Sequence, residues 1–192
     1  MATKTFGTEV FYAADINAYC DTTLHLIQEY TVTGSVAASF SITGISSTYK
    51  HLLIVAKARG DTALTSTDLN TTFNSDTGGN YGRLTWDGSN SAATPAGNWG
   101  SNSNSFQSFI MAANNAAVGS CGAGYMWVYN YADTTWRKSG LAISAAFDGA
   151  TAVNARHRYF VWDNTAAINR IDFTPNAGNI AVNSTFSVYG VG

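Results

Sequence analysis

From residue 31 onward the chain is a succession of short runs in which apolar and polar side chains alternate. Clusters of Gly, Asn, Asp, Ser or Pro end each run. A period of two is what a half-buried strand requires, because successive side chains leave opposite faces of the backbone. Roughly ten such runs at this spacing predict an all-β domain, a two-sheet sandwich of jelly-roll-like form. Val36, Phe40 and Ile42 begin the pattern. The run from Lys50 to Arg59 is apolar with charged flanks and reads as a central strand. Near the end, Ile168, Ile171 and Phe173 precede turn residues 175–179, and Phe186 and Val188 alternate with Ser187 and Tyr189.

Residues 1–33 differ. Residues 6–12 read as a short strand and 13–20 as one or two helical turns, with Asp15 placed to suit the helix dipole. Residues 21–30 either continue the helix or return as a strand. This segment carries both glutamates, Glu9 and Glu29. It is too short to fold alone and must dock on something. The expected organisation is an N-terminal docking arm at 1–33 and a sandwich at 34–192.

With 192 residues the chain can bury a real core. Charged residues are only 11%, against about 25% in an average soluble domain. Surface polarity must come from Ser, Thr, Asn and Gly, a profile common in secreted or virion β proteins and in surfaces that become buried in an assembly. The formal net charge is −2, with no basic block, so no nucleic-acid footprint is expected. No run approaches the roughly 18 apolar residues of a membrane span, and residues 1–6 lack the apolar stretch of a signal peptide. A chain made in a cytoplasm is expected, with Cys20 and Cys121 as free thiols.

No catalytic constellation emerges. His25, His51 and His157 lie away from Cys or carboxylate partners at ligand spacing. Asp76, Asp87, Asp133, Asp148 and Asp163 sit singly in turn contexts, where aspartate usually bonds its own backbone. Neither catalytic residues, metal ligands nor cofactors are assigned, and the protein is not expected to be an enzyme. The 74–80 loop has oxygen side chains but not the acidic density of a calcium loop, and Asp76, Gly78, Gly79 and Asn80 read as a rigid turn. Residues 87–105 read as a long polar loop, in which Trp99, flanked by Asn98 and Asn102, is a candidate contact for a glycan or a neighbouring subunit. Trp136, Arg137 and Lys138 read as a hairpin end carrying a solvated basic pair.

Several blocks, in order, are similar to small virion structural proteins of tailed bacteriophages, of the minor-tail, capsid-decoration and head-fibre type. Val10-Phe-Tyr-Ala-Ala-Asp-Ile-Asn-Ala-Tyr19 resembles their T-A-A-D-x-N arm. Ile45-Ser-Ser-Thr-Tyr-Lys-His-Leu52 resembles I-P-x-T-Y-K-H-L, and Phe73-Asn-Ser-Asp-Thr-Gly-Gly-Asn-Tyr81 resembles F-N-G-D-T-G-x-N-Y. Residues 128–138 and the closing stretch, ending Ser187-Val-Tyr-Gly-Val191, complete the match over most of residues 8–191. Cys20, where Leu is usual, and Asn183, where Gly or Ala is usual, depart from the pattern.

The resemblance implies a non-enzymatic virion component on the capsid or tail, assembled in the host cytoplasm. It implies docking through Val10, Phe11, Ile16, Asn17 and Tyr19. Implied partners are other virion proteins, such as major capsid or tail proteins, and the chain itself as a homotrimer. The alternative is a tail-fibre adhesin or carbohydrate-binding module contacting a host surface glycan. Exposed aromatics at loop tips would favour glycan binding, and a lateral patch would favour assembly.

Overall fold

The structure is a computed structural model that describes residues 24–89, 98–149 and 152–192, with the side chains of 98–102 excepted. Twelve strands follow in order: β1 (His25–Thr31), β2 (Phe40–Thr43), β3 (His51–Ala58), β4 (Ser66–Phe73), β5 (Tyr81–Ser89), β6 (Asn98–Ser103), β7 (Phe106–Ala112), β8 (Gly122–Tyr129), β9 (Lys138–Phe147), β10 (Val153–Trp162), β11 (Arg170–Pro175) and β12 (Thr185–Val191). They form an eight-stranded sheet ordered β1-β12-β3-β8-β9-β10-β5-β6 and a four-stranded sheet ordered β2-β11-β4-β7. Every strand pairing within the sheets is antiparallel. The chain crosses between sheets at most connections, so β2, β4, β7 and β11 in one layer alternate with the rest in the other. That wrapping makes the sandwich jelly-roll-like.

Between the layers the inward rows carry the apolar residues that the alternation required. One aromatic cluster joins Tyr30, Phe40, Phe173 and Phe186, with the Phe40–Phe186 centroids 4.3 Å apart. A second joins Phe73, Tyr81, Phe106, Phe160 and Trp162, with Phe106 stacked on Phe160 at 4.2 Å. Each fully buried side chain of this size contributes about 1.5–3 kcal/mol. At Gly122 the layers approach closely: an added Cβ would lie 2.0 Å from the Ile110 carbonyl oxygen. Only glycine lets β8 pass the β7 backbone there.

Three sequence expectations are corrected. Residues 25–31, assigned to the arm, are instead a strand of the sandwich, pairing with β12 at Leu26–Tyr189 and Glu29–Ser187. The core reaches out to claim them, since Tyr30 stacks on Phe40 with centroids 4.6 Å apart. Within the expected 87–105 loop, β5 runs on to Ser89 and residues 98–103 form the edge strand β6, with Trp99 opposite Leu84 in the register. Polar edge strands carry little alternation, because backbone pairing on one side suffices to hold them. Lys138 is not solvated but buried, its Nζ donating to the carbonyls of Asp133, Trp136 and Thr165. The helix expected at 13–20 lies outside the described residues.

Candidate interaction surface

The two sheets treat their outer faces differently. On the four-stranded sheet the outward residues are polar: Ser41, Asp172 and Thr72 stand in one register row, and Thr174, Asn70 and Gln107 in another. Arg170 and Ser41 donate to the Asp172 carboxylate. Burial alone would raise the Asp172 pKa, but these bonds hold it below the usual carboxylate value. Such a face is at home in water.

The outer face of the eight-stranded sheet is apolar. Successive registers place Leu26, Tyr189, Leu53, Trp127, Leu141, Tyr159 and Leu84 side by side across seven strands. One step along the strands, Val55, Tyr125, Ile143, His157 and Trp86 form a second row. Beyond the first row on the other side lie Tyr129, Ser139 and Val161. Val55 is 42% exposed, Tyr159 46% and Trp86 52%. Among the described residues of this face, the side chains with formal charge are Glu29 and Lys57, both on the β1–β12–β3 flank. Contiguous apolar surface of this extent marks an interaction site on a soluble protein.

The face has relief. Trp86 and Tyr159 meet edge to face, centroids 6.5 Å apart, as a ridge on β5 and β10. Two strands beyond β10, a shallow apolar groove lies on β3 and β8, lined by Leu53, Val55, Ala123, Gly124, Tyr125 and Trp127. Ala123 leaves the dip, and Trp127, stacked parallel on Tyr129 at 6.3 Å, walls it.

The sign of this surface was present in the sequence. Tyr125, Trp127 and Tyr129 alternate with Met126 and Val128, so β8 is apolar on both faces. A strand of that kind reads as sandwiched between two layers. Among the described residues only one layer covers it.

Val10, Phe11, Ile16, Asn17 and Tyr19 lie outside the described residues. Trp99, Asn98 and Asn102 lie on β6, at the far edge of the sheet from β1. The turn at 74–80 is internally bonded: the Asp76 carboxylate accepts from the Gly78 N–H, Asn80 Nδ2 and Trp162 Nε1 at 2.7–2.8 Å. Burial pushes the Asp76 pKa up, but the bonds from Asn80, Trp162 and Gly78 outweigh it and hold the group below the usual value. Asn74 spends its side chain on Ala167, Asn169 and Arg170. Gly79 sits exposed in the same turn.

The other turn aspartates also have structural duties. Asp133 accepts from the N–H groups of Thr135 and Trp136, and Asp148 from that of Ala152. Asp87 pairs with Arg156, and Asp163 with Arg137. Among the described residues no three His, Cys, Asp or Glu side chains are grouped to hold a metal ion. Cys121 is a partly buried free thiol.

One buried charge pair lies between the layers. Arg158, on the inner face of β10 with no side-chain exposure, donates from Nη2 to Asp68 Oδ1 on β4 at 2.7 Å. Arg158 Nε and Nη1 and neighbouring Thr85 Oγ1 are buried without partners. Desolvation lowers the Arg158 pKa, and Asp68 opposes that shift.

Compared with known proteins, the chain matches no family model, no curated protein and no solved structure.

Proposed function

We propose that this protein is a non-enzymatic structural protein of a tailed-bacteriophage virion, displayed on the particle as a capsid decoration, head-fibre or tail-associated piece. It acts through subunit interfaces. The observation that carries the reading is the apolar outer face of the eight-stranded sheet, which a protein working alone in water would not retain. The ordered sequence blocks resembling virion proteins support the same conclusion.

The placement of the exposed aromatics bears on the adhesin alternative. Tyr125, Tyr129, Tyr159 and Trp86 spread over a lateral sheet face, which favours assembly. Among the described residues, Trp136, 71% exposed in the β8–β9 connection, is a loop-borne aromatic that a glycan-binding reading could use beside Trp99. The test is a copy-number count of this chain in purified particles against the major capsid protein. Copies in the hundreds assign it to the capsid, and a handful in multiples of three or six to the tail. Absence from particles refutes the reading.

A further inference from the structure

We infer that the outer face of the eight-stranded sheet is the contact between two copies of this chain, packed face to face about a two-fold axis running along β9. The inference goes beyond the virion reading and stands or falls on the isolated protein.

Size comes first. The seven strands that this axis superposes, β12 to β6, span about 35 Å at about 4.8 Å each, with the apolar rows on the central five, β3 to β5, and three residue rows occupy about 20 Å along them. The footprint is roughly 700 Å², close to the ~800 Å² that each partner buries in a stable interface.

Shape selects the occupant. The central strands run β3-β8-β9-β10-β5, so a two-fold along β9 exchanges β8 with β10 and β3 with β5. The groove lies on β3 and β8. The ridge lies on β10 and β5, in the same two residue rows. The two-fold therefore sets each copy's ridge over the other's groove, twice. Trp86 lands opposite Val55, and Tyr159 opposite Trp127. Leu141 and Ile143 of β9 meet their own counterparts at the axis. This self-complementarity is what an isologous contact demands, and stacked sheets pack in this way about 10 Å apart.

Charge permits it. Lys57 shares a register row with Ala123, Ala145, Ala155 and Gly88, so the two-fold sets it against the partner's β5 at Gly88, away from any like charge. Glu29 stays on the flank at β1. The resemblance to virion proteins implies a trimer, whereas the relief of this face has two-fold symmetry.

The experiment is sedimentation velocity on the full chain across the micromolar range, with Trp86→Glu on the ridge and Val55→Lys in the groove. Far-UV circular dichroism and melting confirm that each variant folds. Both side chains point to solvent within the single copy, so folding should survive. The wild type is expected to be a dimer. Each variant alone should weaken association at least tenfold, and Trp86→Phe should not. An equimolar mixture of the two variants should dimerise again, because one substituted pair then brings opposite charges together while the other contact stays native. A wild-type monomer or trimer, variants that associate like the wild type, or a mixture that stays monomeric would each overturn the inference.

Discussion

Asp68→Ala should be among the most damaging single changes that touch no apolar side chain. It would leave the Arg158 guanidinium, which has no side-chain exposure, without its charge partner. Two of the three guanidinium nitrogens already lack hydrogen-bond partners, and Asp87, the other carboxylate that acts on Arg158, is paired with Arg156. Breaking a buried pair by removing one partner costs about 3–5 kcal/mol. Asp68 retains 18% side-chain exposure, so water reaches its position, and the lower end of about 3 kcal/mol applies. In a domain of this size that is a fall in melting temperature of roughly 6–12 °C. The assay is urea and thermal unfolding followed by circular dichroism and tryptophan fluorescence, with two comparisons. Asp163→Ala removes the partner of Arg137 in a pair exposed by 68% and 59%, and should cost no more than about 1 kcal/mol. Asp68→Ala combined with Arg158→Met should recover most of the loss, since apolar replacement of both members is often neutral. If Asp68→Ala costs no more than Asp163→Ala, or the double variant is no better than the single, the reasoning fails.

Acid should destabilise the fold through carboxylates whose folded pKa values are depressed. Asp61, held down mainly by Asn179, joins Asp76 and Asp172 in this group. Their stabilisation is fully present above the unfolded carboxylate pKa of about 4 and is lost as pH falls through the lower folded values. Asp76→Asn should lower stability at neutral pH yet flatten the acid dependence, read from urea midpoints between neutral pH and pH ~2. Gly122→Ala should cost about 1–3 kcal/mol or more, because its Cβ meets backbone rather than a movable side chain; chemical denaturation measures it. Asn183, in the left-handed region at φ 69°, should tolerate Gly within about 1 kcal/mol but lose about 1–3 kcal/mol as Val. Equal midpoints for the Gly and Val variants would contradict that account.

Most of the strand pattern was legible because alternation is local. β2, β4 and β11 need only their own residues to show one wet face and one dry one, and β3 reads as a strand from its apolar run. The same holds for the closing turn at 175–179, where Gly178 takes a left-handed conformation that glycine adopts at no steric cost. β1 stayed ambiguous and β6 escaped notice, for opposite reasons. β1 carries mixed burial, which fits either helix or strand until Tyr30 finds Phe40. β6 is a polar run whose pairing with β5 depends on backbone bonds that no side-chain pattern announces. The Asp76 turn was readable from its Asx chemistry, but its bond to Trp162, 86 residues away, was not.

By itself the sequence determined that this chain builds antiparallel strands with an aromatic interior and a charge-poor exterior, since period, turn residues and composition are properties of neighbours along the chain. Only the tertiary structure decided which face of each strand is covered. Leu53, Trp127, Leu141 and Tyr159 are far apart in sequence and apolar in a way that suits any core. Strand order laid them side by side, and the four-stranded sheet, able to cover only one side of the larger sheet, left them facing outward.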